Sequence, residues 1–520
     1  MSFDANRSLR FRGCFHQFLP ICFRYLGNHS TAFLLHSGSL MLTILGRKQA
    51  NCDGVSRRQL LQAGGAGLLG LNLPRLLQAE SASKTGSTGR AKSVIFLFLF
   101  GGPSQLETFD LKPEAPAKIR GPFKPIASRT PGLRICEHLS RTANLSDKFC
   151  VVKTMTHNFN DHSGAGHYIQ TGHRWHVPIG GGFAVTPKDW PSIGSVVEYV
   201  SQRDGNRGNR GLPNYVVLPN WLGCLQEKGQ YKRPGEYGGW LGRGYDPLTT
   251  SIPKKNLKDN PYWRNCSDDE LKYEIQGLVS HKDISLDRLN MRRSLLEQFD
   301  DARAGLDGTK RSASYDQFRQ RALELVTSDK TRTALDIRRE PAKLRDTYGR
   351  HLYGQSCLMA RRLVEAGVRF VTVHYDCVDG YSWDSHRNSS DVKKYLVPTF
   401  DQALSALLTD LSDRGLLDET LVVALGEMGR TPKANASWGR GHWSTLFPAV
   451  LAGAGIRGGS IYGETDRDAA YAVEKPTSPE DLAATIYHAL GIDPELRLTD
   501  AQGRPTSVVE NGQPLLEIFG

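Results

Sequence analysis

Three short segments near the C-terminus gather residue types that bind metals and anions: Trp383-Asp384-Ser385-His386, Gly426-Glu427-Met428-Gly429-Arg430 and Gly439-Arg440-Gly441-His442-Trp443. Imidazole and carboxylate together suit zinc, manganese or iron, whereas carboxylates alone suit magnesium or calcium. Asp384 and His386 are the expected ligands of a divalent ion, with His374, Asp376 and Asp379 orienting them from a shell behind. Glu427 follows an apolar run and joins the set. Arg430 beside it can clamp a phosphate or sulfate by paired hydrogen bonds. His442 is either a further ligand or a loop histidine bonded to backbone.

Two earlier segments have the same character. Gly101-Gly102-Pro103-Ser104-Gln105-Leu106-Glu107-Thr108-Phe109-Asp110 delivers two carboxylates after a glycine turn. Glu107 and Asp110 can ligate a hard cation through oxygen; alternatively Asp110 caps the segment that follows. Residues 157–173 hold His157, His162, His167 and His173 with Asp161 and Ser163 among glycines. A serine hydroxyl becomes a useful nucleophile when a base or a metal activates it. Ser163 is the expected nucleophile, and His167 is an expected catalytic neighbour.

These residues need a scaffold that brings distant segments together. From residue 93 onward, apolar runs rich in β-branched and aromatic residues alternate with helical patterns, the signature of an α/β domain with a mainly parallel sheet. Strands are expected at 94–100, 149–155, 215–218, 369–375, 420–425 and 447–452. Helices are expected at 193–201, 284–304, 315–327, 349–366, 400–413 and 479–490. Ser478-Pro479-Glu480 supplies an N-cap, a first-turn proline and an acidic first turn, and Gly491 suits the other end. Residues 219–265, rich in Gly, Trp, Tyr and Lys, read as an irregular insertion near the site, where loops on a rigid scaffold carry specificity.

The chain has 520 residues and a formal net charge of +12. Its Lys and Arg alternate with Asp and Glu and form no long basic block, which argues against nucleic acid and fits a solvated surface that favours anionic substrates. None of the nine cysteines forms a Cys-x-x-Cys pair, so a zinc ribbon or thioredoxin-like motif has no support. Ser56-Arg57-Arg58-Gln59-Leu60-Leu61 precedes a mildly apolar run at 63–73 and small residues through Ser83. This resembles a twin-arginine export signal, spanning 41–83 with Met41 as the natural start and 1–40 as an extraneous extension. The run is too short for a stable membrane span, which needs about 20 apolar residues. Export implies the twin-arginine machinery as a partner, a periplasmic location, and an oxidising compartment where disulfides among Cys136 to Cys377 can form.

Taken with the export signal, the first-strand segment ending in Asp110, Trp-Asp-Ser-His, Gly-Glu-Met-Gly-Arg-Thr-Pro and Gly-Arg-Gly-His-Trp resemble the exported domain of unknown function 1501, a sulfatase-like family, over about residues 56–518. That family is similar to the alkaline phosphatase and sulfatase superfamily. The resemblance implies a three-layer α/β/α domain over 88–520 with an irregular insertion at about 220–270. It also implies a divalent ion (zinc, manganese or calcium) held among Glu107, Asp110, Asp384, His386, Glu427 and His442. Ser163-Gly164-Ala165-Gly166-His167 is similar to the nucleophile segment of cofactor-independent phosphoglycerate mutases, which implies that Ser163 attacks phosphorus or sulfur. The implied activity is hydrolysis of a phosphate or sulfate ester on a small molecule or carbohydrate. There are departures. Glu427-Met428-Gly429 stands where relatives have Asp-His-Gly, Gly101-Gly102 where they have Asp-Gly, and the Asp384 to His386 spacing is short. No Cys-x-Pro-x-Arg segment supports a formylglycine sulfatase. The alternative is a non-catalytic binding protein that kept the fold with a degenerate metal site.

Overall fold

The apolar run that opens the domain forms strand β1 (Ser93–Phe98), buried along its whole length. Its side chains alternate between two separate cores: Ile95 and Leu97 face one, and Val94, Phe96 and Phe98 face the other. A strand covered on both faces explains why the run is continuously apolar rather than alternating. The computed structural model describes residues 90–182, 184–205, 212–219, 232–252, 259–275, 328–376 and 382–520. These belong to a unit spanning Ser87–Gly520. The expected signal at 41–83, the expected helices at 284–304 and 315–327, and Asp379 lie outside the described residues.

The sheet contains β1, β2 (Phe149–Met155), β3 (Tyr215–Leu218), β4 (Leu248–Ser251), β5 (Glu274–Ile275), β6 (Phe370–His374), β7 (Thr420–Leu425), β8 (Phe447–Ala452) and β9 (Ser460–Tyr462). Their order is β9-β2-β8-β7-β1-β6-β3-β4-β5. All run the same way except β8 and β5. Helices α1 (His162–Thr171), α2 (Ile193–Arg203), α3 (Leu352–Glu365), α4 (Val397–Asp413) and α5 (Pro479–Ala489) cover it. Helices α3 and α4 pack on the Ile95 side, and α1, α2 and α5 on the Phe96 side. This is a three-layer α/β/α architecture with a mainly parallel sheet.

Helix ends follow the local chemistry. Ser478 accepts from the Asp481 N–H while Asp481 accepts from the Ser478 N–H, a reciprocal cap with Pro479 at the first helical position. Gly491, at φ 70°, takes the left-handed position just past the end of α5. One element departs from expectation. Residues 157–173 are not a loop throughout, because 162–171 form α1, capped by the Asp161 carboxylate on the Gly164 N–H. Two glycines argue against a helix on propensity alone. Packing overrides them: a Cβ on Gly164 would fall 1.9 Å from the Phe159 ring, and Gly166 lies against Phe98 and Phe100.

The described cysteines Cys136, Cys150, Cys266 and Cys357 are buried free thiols, so no disulfide links them. No helix among the described residues is long and apolar enough to cross a membrane.

Candidate metal centre

Strands β7, β1 and β6 are adjacent and parallel, so their C-terminal ends open on one edge, the place where open α/β sheets bind ligands. The chain leaves β1 through Gly101 and Gly102, at φ 113° and 71°. A Cβ on Gly101 would lie 2.6 Å from the Asp384 nitrogen, and one on Gly102 would lie 2.6 Å from the Met428 carbonyl oxygen. No larger residue fits there without moving that backbone. The Gly101 N–H donates to both Glu427 carboxylate oxygens, at 2.9 and 3.1 Å.

Asp384 stands at the middle of a ring of imidazoles. Its Oδ1 lies 3.1 Å from His162 Nε2, 2.9 Å from His386 Nε2 and 3.4 Å from His442 Nε2. The Nε2 atoms of His386 and His442 are 2.9 Å apart. All four ligand atoms lie within 4.8 Å of one another. Tetrahedral coordination at a zinc–nitrogen distance of about 2.0 Å places neighbouring ligand atoms about 3.3 Å apart, close to what is seen. His162 Nε2 is buried and, despite its nearness to Asp384, makes no hydrogen bond. A buried polar nitrogen left that way is costly, and a cation in the ring would satisfy it. The donor set therefore fits a transition-metal ion.

The far sides of the rings are also fixed. Glu427 accepts a very short hydrogen bond from His162 Nδ1, which leaves Nε2 as the ligating nitrogen. His442 Nδ1 is 3.1 Å from the Asn160 carbonyl, with the same consequence. Such partners on the second nitrogen are characteristic of metal-bound histidine. Burial disfavours a charged His162, but the adjacent Asp384 and Glu427 carboxylates outweigh that and push its pKa up to about 9. For Asp384 burial acts upward, and the imidazoles of His162, His386 and His442 beside it overcome it and hold the carboxyl well below the usual range. The ring opens to solvent mainly through His386, whose side chain is 47% exposed against 17% for His162.

The expected residues divide. Asp384, His386 and His442 come together. Glu427 sits behind His162 rather than among the ligand atoms. Glu107 is elsewhere, buried and 3.1 Å from Arg440 Nε; burial raises its pKa and Arg440 opposes the rise. Asp110 pairs with Lys112 and Lys153 at 3.2 and 3.3 Å and accepts from the Thr465 hydroxyl. Arg430 is fully buried and donates to the carbonyls of Gly101, Gly102 and Arg440 and to Asp384. It positions Asp384 and the glycine turn instead of facing outward as a clamp. His167 is buried, with Nδ1 3.1 Å from the His173 carbonyl and Nε2 accepting from the Trp190 N–H, and burial pushes its pKa down to about 3. Both its nitrogens are committed away from the ring. Ser163 follows His162 in the first turn of α1 and is buried.

The member of this cluster missed from sequence is His162. Asp161 immediately before it was the usable signal, since a capping aspartate marks a helix start and fixes where the next side chain points.

Residues 91–519 match the family described as protein of unknown function (DUF1501). No curated protein matches. Similar solved structures include a phosphonate monoester hydrolase from Silicibacter pomeroyi, at 11% identity over 82% of this chain and 76% of that one, with a TM-score of 0.32. The PsFucS1 sulfatase from Pseudoalteromonas sp. is 13% identical over 80% and 72%, TM-score 0.33. An alkaline phosphatase from the Antarctic bacterium TAB5 is 13% identical over 73% and 95%, TM-score 0.29. With the family match running through nearly the whole described region, the chain belongs to the DUF1501 family.

Proposed function

We propose that this chain is an exported, metal-dependent hydrolase of phosphate or sulfate esters, with one divalent ion held by His162, Asp384, His386 and His442. The observation that carries the reading is the convergence of three imidazole nitrogens on one carboxylate oxygen at the sheet edge. Three nitrogens and one oxygen favour zinc, manganese or iron over calcium, which takes oxygen ligands. When bound, such an ion stabilises the negative charge that develops on the ester oxygens.

The protein's own groups then have separable tasks. Glu427 and the Asn160 carbonyl hold His162 and His442 in the tautomer that offers Nε2. Arg430 holds Asp384 and the Gly101-Gly102 turn. The half-exposed His386 side of the ring is the approach for the ester. Ser163 is the proposed nucleophile, placed in the first turn of α1, whose N-terminal N–H groups favour an anion. The twin arginine at Arg57-Arg58 supports export to the periplasm.

The test is plasma mass spectrometry on chelator-free full chain, followed by turnover of aryl phosphates and sulfates. About one equivalent of metal, lost in a His386→Ala, His442→Ala double variant, with turnover that Ser163→Ala abolishes, is the expected result. Turnover that survives Ser163→Ala removes the serine from the reading.

A second reading, a non-catalytic binding protein, is favoured by one observation: Met428, where relatives carry an imidazole, is fully buried against the Gly102 turn. A thioether is a poor ligand for a hard cation. Metal bound without turnover of any ester in the panel selects this reading.

A further inference from the structure

Two of the ring's imidazoles come from segments far apart in the chain that are bonded to each other. Residues 157–162 follow β2 and end in His162, and residues 442–444 carry His442 and lead toward β8. The His157 N–H donates to the Ser444 carbonyl at 2.9 Å. In return the Ser444 N–H donates to Asn160 Oδ1 at 3.1 Å. His442 Nδ1 donates to the Asn160 carbonyl, also at 3.1 Å. The position of Asn160 therefore sets which way the His442 ring faces.

His157 is the buried start of the first of these segments. Its Nδ1 accepts from the Phe159 N–H at 3.1 Å, so the ring hydrogen is on Nε2, which donates to the Glu427 carbonyl at 2.7 Å. One imidazole thus closes the turn that leads to Asn160 and ties that turn to the residue behind His162. Phe447 packs edge-on to it at 5.3 Å and Tyr168 of α1 at 5.5 Å, which leaves the ring little freedom to turn. Burial pushes its pKa down to about 4 against the pull of its bond to Glu427, which keeps the neutral form with one donor and one acceptor. The other histidines of the stretch outside the ring serve different places. His167 bonds to the His173 carbonyl and the Trp190 N–H, and His173 Nε2 is 2.9 Å from the Val508 carbonyl.

We propose that His157 is a positioning residue of the metal centre, holding the Glu427 backbone and the turn before Asn160 so that His162 and His442 both present Nε2 to one ion. This rests on the metal-centre reading above. His157 touches neither the ion nor the ester. It acts through two groups that do not bind the ion themselves, the Glu427 carboxylate on His162 Nδ1 and the Asn160 carbonyl on His442 Nδ1. Partners of this kind set the orientation and basicity of metal-bound histidine, and a single residue that fixes two of them couples two ligands.

The test uses the full chain with Zn²⁺, for affinity by chelator competition, and with Co²⁺, whose visible absorption reports ligand geometry. His157→Asn keeps an acceptor for the Phe159 N–H but falls short of the Glu427 carbonyl. It is expected to weaken Zn²⁺ binding about 10–100-fold and to change the Co²⁺ spectrum. His157→Gln offers an N–H close to the place of Nε2 and should recover part of both. A residue that served the fold alone would lower the urea midpoint of the metal-free variants and leave Zn²⁺ affinity and the Co²⁺ spectrum as in the wild type; that result overturns the proposal. If His157→Asn does not fold, Asn160→Ala decides, because it frees the same carbonyl by removing its side-chain bond to Ser444. A loss of about tenfold in Zn²⁺ affinity is expected, and unchanged affinity overturns the proposal. A wild type that takes up neither metal removes the metal-centre reading, and the proposal with it.

Discussion

Two groups of acids at one sheet edge have opposite surroundings. After β1, Glu107 faces Arg440, and Asp110 faces Lys112, Lys153 and the Thr465 hydroxyl. After β6 and β7, Asp384 faces three imidazoles besides Arg430, and Glu427 faces the imidazole of His162. In the first group each acid meets only lysine, arginine or hydroxyl partners and no imidazole. In the second, the nitrogens converge on one oxygen and leave a buried nitrogen unsatisfied. Carboxylates that follow a strand are therefore not informative by count; the convergence of several imidazoles on one of them is what suits an ion from outside.

The strongest way to break this comparison is to remove ligands from one group and an acid from the other. The His386→Ala, His442→Ala double variant should weaken metal binding by at least about a thousandfold, since structural zinc sites owe roughly 10–16 kcal/mol to four ligands. Glu107→Gln should leave metal stoichiometry unchanged. Equilibrium dialysis of both against the wild type settles it, and equal losses would erase the distinction drawn here.

The first group should respond in stability instead. Glu107→Ala leaves the buried Arg440 guanidinium without its carboxylate, a change that typically costs about 3–5 kcal/mol. Urea unfolding of the metal-free chain should show that loss, and an unaltered midpoint would mean that the carbonyls around Arg440 already suffice.

Much of this was legible before the fold was known. The central strands are long apolar runs, and those at 149–155, 215–218, 420–425 and 447–452 lie where the sequence places them. The sequence places a helix start at 400, yet α4 begins at Val397, with Pro398 tolerated in its first turn. Asp384, His386 and His442 were readable from residue type. Other residues were not, for identifiable reasons. The cation facing Glu107 lies 333 residues further along the chain, and the acceptors of Arg430 are backbone carbonyls, which leave no mark in a sequence. The glycines of α1 hid the helix, and with it His162.

Histidines outside the ring sharpen the comparison in another way. His167, His173 and His351 are buried and neutral, with burial pushing their pKa values down to about 3, 4 and 4. A histidine whose folded pKa lies below its unfolded value of about 6.5 has no effect above that pH. Below it the unfolded chain takes up protons that the folded chain refuses, and stability falls until the folded pKa is reached. Each should cost up to roughly 3 kcal/mol between pH 6.5 and 4. Urea midpoints of the metal-free chain should drop steeply across that window, and the drop should be smaller in His351→Gln. A flat profile would mean that these imidazoles are protonated in the fold.

Glu427 is the intermediate case, and it gives the smallest effect and the finest discrimination. Its oxygens accept from the Gly101 N–H and from His162 Nδ1, with no lysine or arginine among these donors. Glu427→Gln keeps the size and one acceptor oxygen for the imidazole, but removes the charge and turns an amide N–H toward a donor. If Glu427 orients His162, metal affinity should fall about 10–100-fold, the range for residues behind a ligand, with the fold retained. If it were a ligand itself, the loss should approach that of replacing one imidazole of the ring. Titrating Glu427→Gln beside His442→Ala places the residue on one side or the other, because an orienting carboxylate acts through a histidine that is still there to bind.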